Sequence, residues 1–138
     1  MKNKIILTLF VLLIIGLING KSQVPVKTNI LAGKWGFIRF DWPNFVPDTA
    51  SVRSKFQREF KGTTYLFTKD KRLIINQPNV ATMHNVQLVW ALKGEKLYIS
   101  PTQMTKNKQI ADIDFLDENY LKLYVEGYDP VGVFQRIK

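Results

Sequence analysis

The stretch GKWGFIRF, residues 33–40, carries the first strand signal of the chain. Trp35, Phe37 and Arg39 fall on one face of an extended strand, and the residues between them fall on the other. The last residues, GVFQRI at 132–137, have a similar strand-like character. We therefore expect strands at both ends of the folded chain, and the organisation of the segments between them decides the fold class.

The segments between these two stretches are short strand-like runs separated by turn residues such as Asp70 and Gly94. Short connections favour antiparallel pairing between neighbours in the chain. Closing eight such strands into a barrel removes both exposed edges. We therefore predict an all-β fold, an eight-stranded antiparallel up-and-down β-barrel. The intermediate strands are expected at 60–68, 72–77, 85–93, 96–100, 108–116 and 120–126.

The longest connection, residues 41–57, follows the first strand. Pro43 and Pro47 make its beginning irregular. Asp48 is a suitable N-cap for one short amphipathic helix over residues 49 to about 57. The apolar residues of this connection either form a lid over the open end of the barrel or anchor the helix. They are Trp42, Phe45 and Val46.

The amino terminus has the three-part layout of a secretory signal, with a basic head, an apolar run at 5–18 and small residues after it. The run is shorter than the roughly 20 residues that span a bilayer, although a retained membrane anchor is the alternative. Cleavage is expected after Ser22, or alternatively after Gly20. We predict a cleaved signal at 1–22, an extended leader at 23–30 that contains Pro25, and a barrel domain at 31–138. The mature protein is then exported, periplasmic or secreted, without a stable membrane span.

Composition excludes several kinds of site. The 138 residues contain no cysteine and one histidine, His84, which excludes disulfides, thiol nucleophiles and most histidine-cluster metal sites. The net charge is +9, but the lysines are scattered and form no basic run, so we predict no nucleic-acid binding. We expect a monomer without metal or cofactor.

Gly33-Lys34-Trp35 and Arg136 together resemble the lipocalins, and the whole of 31–137 is similar to the small bacterial lipocalin-like (calycin) proteins. The segments 90–99, 113–123 and 133–136 extend this resemblance. In lipocalins a Gly-x-Trp opens the first strand, and an arginine from the last strand packs over that tryptophan. The resemblance therefore implies that Gly33, Trp35 and Arg136 close the barrel, with a planar cation on the indole face.

Alternation along the strands predicts which side chains line the interior. The side chains expected to point inward are Trp35, Phe37, Arg39, Tyr65, Phe67, Leu88, Trp90, Leu97, Ile99, Ile113, Phe115, Leu121, Leu123 and Phe134. Inward-pointing Arg39 is suited to a ligand carboxylate or phosphate, or alternatively it lies at the rim and pairs with Asp41. The predicted ligand-binding residues are Phe37, Arg39, Trp42, Phe67, Trp90 and Phe115.

No catalytic site emerges from the sequence. Asp112 and Asp114 lie on the strand face opposite Ile113 and Phe115 and are expected to face solvent. His84 has no second ligand or triad partner. We therefore predict a non-enzymatic exported protein that binds a small hydrophobic or amphipathic molecule. One alternative is a structural or partner-binding envelope protein with a filled barrel, and the other is a barrel enzyme acting on a lipid-like substrate.

Overall fold

The computed structural model describes residues 24–43, 50–102, 108–125 and 130–138. The predicted signal at 1–22, together with Phe45 and Val46, lies outside the described residues. The helices are α1 (Val24–Leu31) and α2 (Ala50–Phe60), with a short 3₁₀ helix at Ala81–Met83. The strands are β1 (Gly33–Asp41), β2 (Thr64–Phe67), β3 (Arg72–Asn76), β4 (Val86–Lys93), β5 (Lys96–Ser100), β6 (Gln109–Leu116), β7 (Tyr120–Val125) and β8 (Val131–Ile137).

The strands pair antiparallel in chain order, and β8 pairs with β1 to close the sheet. This arrangement confirms the predicted eight-stranded up-and-down β-barrel. Tight turns allow neighbours in the chain to pair directly. In the β4–β5 turn, Gly94 has φ +60°, a backbone conformation that glycine adopts without the steric cost of a Cβ. Neither helix in the described part of the chain has the length and apolarity that a membrane crossing requires.

The expected extended leader at 23–30 is wrong for the residues that can be described, because Val24–Leu31 forms helix α1. Pro25 does not prevent this, since it lies in the first turn, where its missing N–H has no intrahelical partner to lose. The helix ends against the barrel, and its last residue, Leu31, is fully buried. The leader is therefore part of the fold and covers one end of the barrel.

The helix predicted after the first strand is present as α2, and it continues to Phe60, beyond the predicted end near Gln57. Two side-chain amides donate hydrogen bonds to the carbonyls of this longer end. Gln77 donates to the carbonyl of Glu59 at 3.2 Å, and Asn79 donates to the carbonyl of Arg58 at 2.8 Å. Strand β2 consequently begins at Thr64, later than the predicted Phe60.

Two β-bulges decide which side chains enter the barrel. In the β1–β8 pair the register shifts between Phe37 and Arg39. In the β6–β7 pair it shifts between Ile113 and Phe115. Each bulge inserts one extra residue and reverses the inward and outward alternation beyond it. The predicted inward positions of Arg39 and Phe115 are therefore both wrong.

The two ends of the barrel differ in packing. The end that contains α1 and the β2–β3, β4–β5 and β6–β7 turns is here called the closed end. The end crossed by α2 and the β3–β4 loop is called the open end. Inward side chains toward the closed end have lost all or nearly all contact with solvent; they are Trp35, Phe67, Leu73, Trp90, Leu97 and Leu121.

Candidate functional site

At the closed end, the side chain of Arg136 lies over the ring of Trp35. The guanidinium of Arg136 lies 4.2 Å from the centre of the Trp35 ring, because Trp35 and Arg136 are register partners in β1 and β8. The same guanidinium donates to the carbonyls of Ala32 at 3.0 Å and Glu118 at 2.6 Å, and to that of Ile30. Arg136 thus joins α1, the β6–β7 turn and the barrel wall.

Gly33 lies beside this arginine. Its φ is +137°, and a Cβ at this position would collide with Nη1 of Arg136. Glycine is therefore the residue that permits this close approach. The structure brings Gly33, Trp35 and Arg136 together as one structural unit, and the indole N–H of Trp35 completes it by donating to the Leu31 carbonyl at 2.8 Å.

Phe67 and Trp90 lie deep in the closed half of the barrel. Their rings meet edge to face at 5.6 Å, and each is 1% exposed. Lys71 covers Trp90 from outside, with its ammonium 4.1 Å from the ring centre. A ligand that entered from the open end would find these two predicted binding residues already packed against their neighbours.

Arg39 points out of the barrel, where its Nε donates to Asp41 at 2.9 Å. Lys122 contacts the other oxygen of the same carboxylate at 3.0 Å. Although burial alone would raise the pKa of Asp41, the hydrogen bonds from Lys122 and Arg39 hold that pKa below its ordinary value. Pairing with Asp41 at the rim was the alternative prediction for Arg39. The bulge at Ile38 produces it, because it turns the Arg39 side chain outward.

Phe115 also lies outside the barrel, with 46% of its surface exposed. Beyond the bulge, Leu116 replaces it as the residue that packs against the core. On the outer face Asp112 forms an ion pair with Lys96 at 3.0 Å, and Asp114 is exposed. His84 is exposed as well, and the part of the chain that the structure describes contains no cluster of acidic or histidine side chains suited to a metal.

The inner wall of the open end is aromatic. Phe37 lies 5.7 Å from Phe134 and 5.4 Å from Phe60, ring centre to ring centre. The bulge turns Phe40 inward, and its ring lies 4.9 Å from that of Phe60. Helix α2 thus rests on the barrel through aromatic contacts. Phe37, Phe40 and Phe60 are only partly buried, in contrast to the fully buried residues of the closed half.

Tyr65 is the polar group of this wall. It faces inward next to Phe67 on β2, and its ring lies 4.7 Å from that of Phe134. Burial raises the pKa of Tyr65 to about 12, so the hydroxyl stays neutral at physiological pH. Among the described residues nothing forms a hydrogen bond with this hydroxyl, and the side chain keeps part of its surface accessible. A neutral donor and acceptor therefore faces the interior without a partner among the residues that the structure describes.

Thr63 precedes Tyr65 by two residues on the same side of the chain. It is fully buried, and its Oγ1 has no hydrogen-bond partner. Leaving a buried hydroxyl unpaired costs about 1–3 kcal/mol. Two hydroxyl groups at the beginning of β2, those of Thr63 and Tyr65, thus have no hydrogen-bond partner in the described part of the chain. This pair distinguishes the open half from the fully packed closed half.

Trp42 lies at the edge of α2 rather than inside the barrel. Its ring is 6.0 Å from Phe40 and 5.9 Å from Phe56, and the guanidinium of Arg53 lies 5.3 Å from its centre. Trp42 therefore anchors the helix, which was one of the two interpretations of this connection.

Of the six predicted ligand-binding residues, only Phe37 lines the inner wall of the open end. Sequence reasoning placed Tyr65 and Phe134 inward without assigning them to the site, and it missed Phe40, Phe60 and Thr63. A signal for Tyr65 was present, because a hydroxyl-bearing side chain in an inward apolar row needs a partner. Phe40 had no such signal, since its inward position depends on the bulge.

Comparison with known proteins does not assign a family, because no family model, curated protein or solved structure matches the chain.

Proposed function

We propose that this protein is an exported, lipocalin-like carrier that binds a small hydrophobic or amphipathic molecule in the open half of its barrel, without catalysis. The observation that carries the proposal is the Tyr65 hydroxyl, which faces an aromatic interior and has no hydrogen-bond partner among the described residues. Apolar walls with a few inward polar groups are typical of small-molecule sites.

The chemistry of the wall supports an apolar ligand with one neutral polar group. Rings from β1, β2, β8 and α2 meet beneath the helix. The pKa of Tyr65, raised to about 12 by burial, makes its hydroxyl a hydrogen-bonding group and a poor general base. A ligand carbonyl, hydroxyl or ether would satisfy it. These features favour binding over catalysis.

The resemblance to lipocalins is a second support for this proposal. The first and last strands pair, and Arg136 covers Trp35 at the closed end. The aromatic open end is then the end through which a ligand enters. Export remains part of the proposal, on the basis of the amino-terminal sequence alone.

Fluorescence titration with N-phenyl-1-naphthylamine, an uncharged apolar probe, tests this site. Ile75 lies opposite Tyr65 on the same inward face, and its neighbour Ile74 faces outward. We expect the unaltered protein to bind the probe, and Ile74→Phe to bind it normally. Ile75→Phe should weaken binding by about tenfold or more, because the larger ring would occupy the position proposed for the ligand. Circular dichroism checks that both variants fold.

Absence of probe binding by the unaltered protein, or equal binding by the folded Ile75→Phe variant, would contradict the proposal. If Ile75→Phe does not fold, native mass spectrometry of the protein purified from its own host decides. A retained small molecule supports the proposal. A bare protein that also fails to bind the probe favours a filled barrel with a structural or partner-binding role.

A further inference from the structure

A basic cleft lies on the outer side of helix α2, apart from the barrel interior. It is a shallow depression, widely open to solvent, with a volume of about 550 Å³. We call it the α2 cleft. Its lining residues are Trp42, Arg53, Ser54, Gln57, Arg58 and Lys61. Three of them carry a positive charge, and no carboxylate is among these lining residues.

The acidic residue of helix α2 that lies nearest the cleft, Glu59, pairs with a lysine outside the cleft. Glu59 lies 3.8 Å from Lys55, one helical turn earlier. The side chains of Arg58 and Lys61 are exposed, and neither forms an ion pair with a described residue. Arg53 is partly buried, with its guanidinium held over the Trp42 ring. The cleft thus presents one cation held over an indole ring and two exposed cations.

Basic residues often occur at helix carboxyl ends because they interact with the terminal carbonyls. Here side-chain amides fill that role. Asn79 donates to the carbonyls of Arg58 and Lys61 at 2.8 and 2.9 Å, and Gln77 donates to that of Glu59. Capping of the helix therefore does not account for the position of Arg58 and Lys61.

The helix dipole does not prevent anion binding in the α2 cleft. The carboxyl end of a helix carries the equivalent of about half a negative charge. The cleft is lined by Arg58 and Lys61, which form no ion pair with a described residue, and the amides of Gln77 and Asn79 already offset the terminal carbonyls. The net potential in the cleft is therefore positive.

We propose that the α2 cleft binds a phosphate group. A phosphate carries about −1.5 to −2 charge at pH 7 and three strong acceptor oxygens. Guanidinium groups match those oxygens with paired donors, and lysine adds a point charge. The phosphate belongs either to a soluble phosphorylated compound or to a phospholipid headgroup. This second site does not depend on the proposed interior site.

Tryptophan fluorescence isolates this site. The chain has three tryptophans, and Trp35 and Trp90 are 0% and 1% exposed, so an aqueous quencher reports on Trp42. We expect sodium phosphate to protect Trp42 from iodide quenching, compared with sodium chloride at equal ionic strength. Replacing both Arg58 and Lys61 by Gln should weaken the phosphate effect by more than about tenfold, because two charge-assisted contacts are lost.

The matched control is the double variant Lys34→Gln with Lys69→Gln. Both lysines are exposed at the closed end, and the pair has the same change in net charge. It should keep the phosphate protection. If both double variants lost the phosphate protection equally, the effect would be due to net charge and the proposal would be wrong. Equal protection by chloride and by phosphate would also overturn the proposal.

Two further measurements identify the source of the phosphate. Glycerol 3-phosphate is titrated in the same quenching assay, and cosedimentation is measured with phosphatidylglycerol or phosphatidylcholine vesicles. Protection by glycerol 3-phosphate without vesicle binding indicates a soluble ligand. Binding to phosphatidylglycerol vesicles that requires Arg58 and Lys61 indicates a headgroup. If neither interaction depends on these two residues, the proposed site is wrong.

Discussion

At the scale of single residues, Arg136 ties helix α1 and the β6–β7 turn to the barrel wall. It covers the Trp35 ring and donates to three backbone carbonyls, two of them on α1 and its junction with β1. A lysine keeps the charge, but its three donors share one nitrogen, whereas the guanidinium uses three separate nitrogens for the carbonyls of Glu118, Ala32 and Ile30. Arg136→Lys should therefore lower the free energy of unfolding by about 2–3 kcal/mol.

Urea denaturation measures this change, and Arg72→Lys is the control. Arg72 pairs with Asp70 on the surface at 2.7 Å, with both side chains more than half exposed. Exposed ion pairs contribute about 0–1 kcal/mol, so this control should lose little. A loss in Arg136→Lys no larger than that in Arg72→Lys would show that the fork of donors adds nothing.

Tyr65 makes stability depend on alkaline pH. Its pKa in the folded protein is about 12, against an ordinary value of 10.0, so the unfolded chain releases this proton first as pH rises. The stability due to neutral Tyr65 is complete below pH 10 and is lost between about pH 10 and 12, by at most about 3 kcal/mol.

Comparison with Tyr65→Phe separates this effect from the titration of other tyrosines and lysines. The variant keeps the ring but has no proton to lose, so its unfolding free energy should fall less steeply than that of the unaltered protein between pH 10 and 12. Parallel curves for the two proteins in urea denaturation would show that Tyr65 titrates normally in the folded state.

At the scale of elements, the alternation of apolar and polar residues predicts which side chains point into the barrel, until a β-bulge interrupts the strand. Turn residues and apolar runs predict eight strands in their correct order, and alternation places Phe37 and Tyr65 inside. Beyond Ile38 in β1 and Asp114 in β6, the same rule fails, because one inserted residue reverses the faces. Register is fixed by pairing with the neighbouring strand, and a single strand sequence does not contain that information.

The reversal in β1 predicts unequal losses of stability for substitutions of two adjacent residues. Phe40 packs against Phe37, Phe56 and Phe60, so Phe40→Ala should cost about 2–3 kcal/mol, the lower end for a phenylalanine that is only partly buried. Arg39→Ala removes an exposed ion pair and should cost about 1 kcal/mol or less. Chemical denaturation of both variants measures the difference, and a larger loss for Arg39→Ala would contradict the bulge.

At the scale of the whole molecule, the barrel joins a rigid end to a loosely held one. The closed end is filled by fully buried side chains, with α1 tied down by Arg136. Helix α2, in contrast, has no fully buried residue. Its aromatic face rests on Phe37 and Phe40, and its polar anchors come from Gln57, Gln77 and Asn79. Segments with few buried contacts open at lower free energy than the core.

Hydrogen exchange should therefore separate α2 from the barrel. We expect the amides of α2 to exchange faster than those of β5 and β7, whose Leu97 and Leu121 are fully buried. Asn79→Ala removes the donor to the last turn of α2 and should speed exchange there without changing β5 or β7. Asn119→Ala, at an exposed turn of the closed end, is the control and should leave α2 unchanged. If α2 exchanged as slowly as β7 and was insensitive to Asn79→Ala, the helix would belong to the rigid core, and access to the aromatic wall beneath it would require the barrel itself to open.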